Sequence, residues 1–483
     1  MTFDTLVELV RLKNTPRLCT DSRLVKGGDI FVAVKGPAYD GHDFIEQALT
    51  NGAEYIVCRQ HTPQTTSNAP CKFITVEDTS EAAAVLAQAA KGDPASQLTN
   101  LAVTGTNGKT TVAFLVRSCI QRAGYKCGLL GTVLYDTCSP DHYQAALTTP
   151  GCLDIAARQQ EMLRNGAKFM VIEASSHALS QNRLARIDFK AAAFTNLTGD
   201  HLDYHKTKQD YLAAKTRLFS SLGPDATAVL NKQSPEAQQI AAETQATLLW
   251  YAIEDKVDIT ARIKSMDTSG TTFVLEYSGR SAIVRTPLLG LYNISNCLAA
   301  AGLCLAAGLD INVVAAGLSA LKNIPGRLEK IDGGEFVVII DYAHTDDALK
   351  NVLATLKPLC KGSLRVVFGC GGDRDKTKRP RMARVAEQLA DYVIVTSDNP
   401  RTENAEDIIH DIIAGFETAD TKIIEPDRRK AIALAIEAAE KDDIVLIAGK
   451  GHEDYQIIGT QKFHFSDKEI AQQYLREQLR KWK

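Results

Sequence analysis

Three features of the sequence predict an α/β fold in three domains. The stretch Leu101-Ala-Val-Thr-Gly-Thr-Asn-Gly-Lys-Thr-Thr111 runs from an apolar segment through a glycine turn into a helical pattern. Further along, short apolar runs alternate with helical periods, the pattern of parallel strands joined by crossover helices. Helix breakers and polar residues cluster at 91–96 and 324–326, where those patterns stop. The expected architecture is a small N-terminal α/β domain (1–92), a central P-loop-type parallel sheet (93–325) and a C-terminal Rossmann-like doubly wound sheet (326–483). A chain of 483 residues is too long for one core, and about three domains is the size expectation.

Composition narrows the class of function. Hydrophobic residues make up 45% and charged residues 23%, ordinary values that exclude disordered and fibrous proteins. A net charge of −3 argues against a general polyanion binder, so no nucleic-acid partner is expected, although a local basic cleft could hold a phosphorylated ligand. Residues 1–13 lack the apolar core of an export signal, and no apolar run approaches the roughly 18–20 residues of a membrane span. The 11 cysteines are dispersed and never form C-x-x-C, which reads as small buried hydrophobes in a reducing compartment. A cytoplasmic protein without membrane insertion is expected.

Taken in order, the N-terminal segment shows Thr20-Asp-Ser-Arg23, then apolar runs at 30–34, 55–57 and 73–76, then an alanine-rich helix over 80–90. The central segment opens with the strand that feeds the glycine turn. Its helix is legible from Val112, Leu115, Val116, Cys119 and Ile120, at i, i+3, i+4 spacing, with Gly124 as the stop. Gly105 and Gly108 let backbone N–H groups converge on an oxyanion, and the helix N-terminus adds partial positive charge. Lys109 is then placed for β- and γ-phosphates and Thr110 for Mg²⁺. The full G-x-x-x-x-G-K-[ST] spacing needs glycine at 103, where the chain has Val103.

The apolar run 169–172 ends on Glu173, where nucleotide-binding folds put a carboxylate that orients Mg²⁺ or water. His201 and His205 invite a zinc reading, but no H-E-x-x-H pattern or third thiol ligand accompanies them. On the expected helix 208–219, Tyr211 and Lys215 share a face while Leu212 and Leu218 point elsewhere; a helical lysine is ordinarily solvated. Asn293 and Asn296 open an expected helix at 297–307, as caps or as contacts to a base. The C-terminal strands are expected at 336–340, 366–368, 392–396, 422–424 and 444–448. Polar loops follow four of them, at 341–344, 369–375, 398–401 and 449–453, and ligands of open α/β sheets bind at that edge.

Thr20–Arg23, 105–111, Thr148-Thr149-Pro150, Glu173-Ala-Ser-Ser-His177, Asp200-His-Leu-Asp-Tyr-His205, Asn293 with Asn296, Gly326-Arg327-Leu-Glu329, Asp341-Tyr-Ala-His344 and 449–453 occur in the order seen in the Mur ligases. The chain closely resembles that family, the ATP-dependent amide-forming enzymes of peptidoglycan precursor synthesis, over essentially its whole length. The family's loop also lacks the glycine missing at Val103. Residues 369–374 with Asp398-Asn-Pro-Arg401 are similar to the members that add the third peptide residue, of the meso-diaminopimelate type. Diaminopimelate differs from lysine by a second carboxylate, which a guanidinium such as Arg401 can grip through two parallel hydrogen bonds. An internal salt bridge of Arg401 is the other reading.

The resemblance implies the following roles. Thr20, Ser22, Pro37, Ala38 and Tyr39 hold the uridine end of UDP-N-acetylmuramoyl-L-alanyl-D-glutamate, and Thr148, Thr149, Ser175, Gln181 and Arg183 its sugar and dipeptide. Gly105, Thr106, Asn107, Gly108, Lys109, Thr110 and Thr111 bind the ATP phosphates, with Asn293 near the adenine and Arg327 and Asp341 completing the nucleotide site. Thr110, Glu173, His201 and Lys215, the last as a CO₂-derived carbamate, carry Mg²⁺. Arg374, Asp398, Asn399, Pro400, Arg401, Gly449 and Glu453 bind diaminopimelate, Glu453 facing an ammonium. Lys109, Glu173, His201, Lys215 and Arg327 are the implied catalytic set, acting through an acyl phosphate in a monomer. The competing expectations are lysine as the added amino acid and, from another class, an ATP-driven switch or transport protein.

Overall fold

The computed structural model describes residues 1–12, 16–36, 39–59, 71–199, 202–418 and 422–481, with the backbone alone at 202–203 and 478–481. The chain gathers into two compact units: Met1–Ala252 with Val257–Ile259 and Leu298–Gly317, and Ile253–Lys256 with Thr260–Cys297 and Leu318–Lys483.

In the first unit, the N-terminal segment forms a four-stranded parallel sheet among the described residues, in the order Leu18–Cys19, Ile30–Val32, Tyr55–Cys58, Lys72–Thr75. The strands are apolar on both faces because both are covered. Val7 and Val10 of the helix Phe3–Arg11 and Leu86 of Thr79–Ala90 pack on one face; Ala48 and Leu49 of Ile45–Thr50 pack on the other. The larger sheet of this unit runs Thr247–Ile253, Thr227–Asn231, Phe189–Phe194, Thr99–Thr104, Phe169–Glu173, Cys127–Leu130, all parallel, then Leu134–Asp136 and Tyr143–Gln144 antiparallel. Thr99–Thr104 is central and buried from its second residue to its last. Its carboxyl end lies between the ends of Phe169–Glu173 and Phe189–Phe194, which positions the glycine turn against Glu173 and Thr195.

In the second unit, Gly270–Tyr277 and Arg280–Thr286 form an antiparallel hairpin. A six-stranded sheet among the described residues has the order Glu329–Asp332, Val337–Asp341, Ile444–Ala448, Leu364–Phe368, Tyr392–Val395, Lys422–Ile424, with only the first strand antiparallel. The doubly wound expectation is met, and five parallel strands stand within a residue or two of the expected positions. Apolar residues pack both faces: Leu353, Met382 and Ile412 on one, Ile432, Ile436 and Ile470 on the other. The last-formed parallel strand inserts between the first two, so the loops after residues 341, 368, 395 and 448 share one edge. The helix expected from 297 instead spans Leu291–Ala306, so Asn293 and Asn296 lie in its first turns rather than ahead of it. Their side chains are satisfied inside: Asn293 Nδ2 donates to Leu289 O at 2.8 Å and Asn296 Nδ2 to Asn293 Oδ1 at 3.1 Å.

Among the described residues, no helix is long and apolar enough to cross a membrane.

Candidate functional site

The glycine turn of the first unit is held from beneath by the neighbouring strand end. Thr106 N donates to Asn196 O at 2.9 Å, Asn107 N to Asn196 Oδ1 at 3.0 Å, and Thr195 Oγ1 to Asn107 O at 2.6 Å. Gly105 has φ +147°, and a Cβ there would stand 1.9 Å from Thr195 Oγ1, so no other residue fits the close approach. The helix Lys109–Arg122 starts directly after Gly108, which puts its N-terminal partial charge at the turn. Lys109 Nζ folds back onto Gly105 O and Thr106 O at 2.9 and 2.8 Å. Thr111 is buried beneath the loop.

Glu173 is fully buried, and its carboxylate is met by neutral donors: Thr110 Oγ1 at 3.0 Å, Thr132 N at 2.9 Å and Thr132 Oγ1 at 2.9 Å. This cluster of hard oxygens fits Mg²⁺, which takes one or two carboxylates and completes its shell with water and phosphate oxygens. His201, with Pro37 and Ala38, lies outside the described residues.

Lys215 departs from the solvated habit of helical lysines. It is 1% exposed on the helix Lys208–Ser220, donates to Gly105 O at 2.9 Å and lies 4.3 Å from the Tyr211 ring centroid. Tyr211 OH in turn pairs with Thr106 Oγ1 at 3.2 Å. The face shared by Tyr211 and Lys215 therefore backs onto the glycine turn, and Leu212 and Leu218 are also buried. His205 Nε2 pairs with Ser176 Oγ at 2.9 Å.

A cavity of about 740 Å³ in the same unit is lined by Thr20, Ser22, Tyr39, Gln47, Gln181 and Arg183, among others. Residues far apart in sequence thus share one space. Ser22 Oγ donates to Gln47 Oε1 at 2.6 Å. Arg183 forks onto Gln181 Oε1 at 3.0 and 2.7 Å and reaches Thr149 O at 2.8 Å; burial lowers its pKa. Thr149 Oγ1 donates to Glu173 O at 2.6 Å, Ser175 N to Thr149 Oγ1 at 3.0 Å, and Thr148 Oγ1 pairs with Thr132 Oγ1 at 3.1 Å. Thr132 thus links Thr148 to the Glu173 carboxylate. Neither Thr132 nor Gln47 stands in a recognisable motif, and sequence reading missed both.

In the second unit, Asp341 ends its strand and accepts from Leu328 N at 2.7 Å and Ala343 N at 2.8 Å. Burial raises its pKa, and Arg327 opposes the rise. The Arg327 guanidinium stacks 4.7 Å from the Tyr342 ring centroid. Asn293 is buried on its helix in the same unit.

The polar loops of this unit gather at the shared sheet edge. Asn399 Nδ2 donates to Glu453 Oε2 at 2.9 Å, and Lys450 Nζ donates to Asn399 Oδ1 at 3.0 Å. Arg401 sits in a left-handed conformation, φ +53°, with NH1 donating to Gly372 O at 2.7 Å. It forms no ion pair among the described residues. Pro400 is buried, Gly449 N donates to Asp341 O at 3.1 Å, and Arg374 is exposed, with NH1 on Asp373 O at 3.2 Å. Burial pushes Asp398 up, but Lys450 and Arg428 outweigh it and hold the carboxyl below the usual range. For Glu453, burial wins and the pKa is raised. Glu453 Oε2 lies 3.5 Å from Lys450 Nζ.

Residues 17–91 match the model of the Mur ligase family, catalytic domain, 103–304 the Mur ligase middle domain, and 326–451 the Mur ligase glutamate ligase domain. The chain is 44% identical to the UDP-N-acetylmuramoyl-L-alanyl-D-glutamate–2,6-diaminopimelate ligase of Bacillus licheniformis, over 95% of this chain and 94% of the relative. It is 43% identical to the same-named ligase of Gloeobacter violaceus over 95% and 93%. A solved ligase of that name aligns with a TM-score of 0.69 and 34% identity, covering 96% and 95% of the two chains. MurF ligase from Thermotoga maritima in complex with ADP shares the fold at 20% identity, with a TM-score of 0.62 over 98% of this chain and 100% of that one. By the extent and degree of these matches, the chain belongs to the Mur ligase family.

Proposed function

We propose that the chain is an ATP-dependent amide ligase that joins meso-diaminopimelate to the D-glutamate γ-carboxylate of UDP-N-acetylmuramoyl-L-alanyl-D-glutamate. The observation that carries this reading is the near-full-length likeness to ligases of that name, with Arg401 at the sheet edge where such folds bind ligands. Three functional segments follow, 1–92 for the UDP end, 93–325 for ATP and the dipeptide, and 326–483 for the amino acid.

The γ-carboxylate attacks the γ-phosphate of ATP, giving an acyl phosphate and ADP. The amine of diaminopimelate then attacks the acyl carbon, and phosphate leaves. Such transfers need positioning and charge neutralisation more than covalent help. The loop 105–111 and Lys109 bind and neutralise the phosphates, and Asn293, Arg327 and Asp341 serve the nucleotide. Thr148, Thr149, Ser175, Gln181 and Arg183 orient the dipeptide, with Thr20, Ser22 and Tyr39 on the uridine end. Mg²⁺ would be held by Thr110, Glu173 and His201 and would supply charge neutralisation at the phosphates. Lys215 as a carbamate would add an anionic oxygen to that set; its buried place beside Gly105 supports the reading, because a carbamate keeps an N–H for the Gly105 carbonyl. Arg401, Arg374, Asp398, Asn399, Pro400, Gly449 and Glu453 hold diaminopimelate. A cytoplasmic monomer working on these small molecules, without nucleic acid or membrane insertion, completes the proposal.

The test is ADP release with ATP, Mg²⁺ and the UDP-dipeptide, comparing meso-diaminopimelate with L-lysine. Turnover with diaminopimelate alone is expected. Turnover with lysine instead would keep the ligase and discard the role of Arg401; turnover with neither would discard the reaction.

A further inference from the structure

The amino-acid loops carry a fully buried lysine that the roles above do not use. Lys450 is 0% exposed, and its ammonium meets three residues of the proposed amino-acid site: Asn399 Oδ1 at 3.0 Å, Asp398 Oδ1 at 3.4 Å and Glu453 Oε2 at 3.5 Å. Asn399 Oδ1 also accepts from Ile457 N at 3.0 Å. With its oxygen so engaged, the amide must turn its nitrogen toward Glu453, as the 2.9 Å contact records.

A second cation stands behind the first. Arg428, 0% exposed at its side chain, forks onto equally buried Asp467 at 2.8 and 2.7 Å and donates to Ala448 O at 2.9 Å and Ser397 O at 3.3 Å. It thereby clasps the strand ends that carry Asp398 and Gly449. This buried cluster holds three carboxylates, Asp398, Glu453 and Asp467, against two cations, Lys450 and Arg428. One negative charge is left over, in surroundings where an uncompensated charge is costly. An incoming ammonium would balance it.

We propose that Lys450 is a positioning residue of the amino-acid site, the buried cation that aims Asn399 and Glu453 at the ammonium of the incoming zwitterion. The proposal rests on the amide-ligase reading and names a specificity device within it. Lys450 touches neither ATP phosphates nor the reacting carbonyl in this role; it acts through Asn399 and Glu453. The raised pKa of Glu453, driven by burial and by Asp398 against Lys450, agrees with a carboxylate that awaits a further cation.

The test uses the full chain and its ADP-release assay, with Lys450→Gln, which keeps a donor for Asn399 but no charge, and Lys450→Met, which keeps neither. Each is checked by thermal melt. The KM for diaminopimelate is expected to rise about 10–100-fold in the methionine variant, less in the glutamine variant, with the KM values for ATP and the UDP-dipeptide unchanged. Combined with Glu453→Gln, Lys450→Gln should cost much less than the two single effects together, because both act on one contact. Equal rises in all three KM values, an unchanged diaminopimelate KM, or additive effects would overturn the role. If the wild-type protein turns over ATP with no amino acid at all, the ligase reading fails, and this role fails with it.

Discussion

The glycine turn of the first unit and the polar loops at the sheet edge of the second are held together by different means. Around the turn, no contact among the described residues pairs opposite charges: Lys109 and Lys215 donate to backbone carbonyls, and even the buried Glu173 is met by Thr110 and Thr132 rather than by a cation. At the amino-acid loops the contacts are between charges: Lys450 with Asp398 and Glu453, Arg428 with Asp467, and Arg379 with Glu403 and Asp411. A phosphate group is the same in every nucleotide, so backbone geometry suffices to bind it. A particular zwitterion must be distinguished from its analogues, and oriented charges make the wrong analogue leave a buried group unpaired.

Replacement of Lys109 should be the most damaging change. Lys109→Ala is expected to lower ADP release about 10³-fold, with little change in the melting temperature, and single-turnover phosphate transfer checks it. Arg401→Ala should act on one substrate only: the KM for diaminopimelate rises about 10²-fold, while the KM values for ATP and the UDP-dipeptide are unchanged. A common rise in all three KM values would erase the distinction between the two regions. Gly131→Ala probes the neutral side of the comparison, because the new Cβ would stand 2.2 Å from Glu173 Oε1. A destabilisation of about 1–3 kcal/mol is expected in denaturant melts, together with a higher Mg²⁺ requirement.

The smallest effect is a pH dependence on the charged side. The hydrogen bonds from Arg379, opposed by burial and helped by Asp373 N and Lys376, hold the Glu403 carboxyl at about 2, against an ordinary 4.5. A depressed carboxylate contributes stability that is fully present above its unfolded pKa and is lost as pH falls toward the folded value. Thermal melts between pH 7 and about pH 2 should therefore show a shallower acid loss for Glu403→Gln than for the wild type. Equal acid slopes would mean that this pair adds nothing to the loop that carries Asp373 and Arg374.

The two regions also differ in how far they could be read in advance. The turn was legible because its residues are contiguous: strand, glycines, lysine, threonine and helix follow one another, and local geometry dictates their order. The alternation of strands and helices in the C-terminal segment was legible for the same reason, through the periods of 2 and 3.6 residues. Helix starts were less so, since Leu291, Tyr292 and Ile294 continue the apolar helical pattern ahead of Cys297 while the asparagines among them look like caps. Thr132, Lys450 and the Arg428–Asp467 pair left no local mark, because each matters through a partner between 39 and 51 residues away.

By itself the sequence determined the α/β class, the glycine turn that leads into the helix with Lys109 and Thr110, the carboxylate at Glu173 and the polar loops after the C-terminal strands. All of these are set by short-range periodicity and by residue types that only one backbone geometry tolerates. Tertiary structure alone decided that Lys215 is buried against Gly105, that Thr132 ties Thr148 to Glu173, and that Lys450 stands among three site residues. The physical reason is the order of strands in the sheet. Inserting Ile444–Ala448 between Val337–Asp341 and Leu364–Phe368 brings the loop that follows it to the same edge as those after residues 341 and 395, and which buried charges then meet depends on that adjacency rather than on any spacing along the chain.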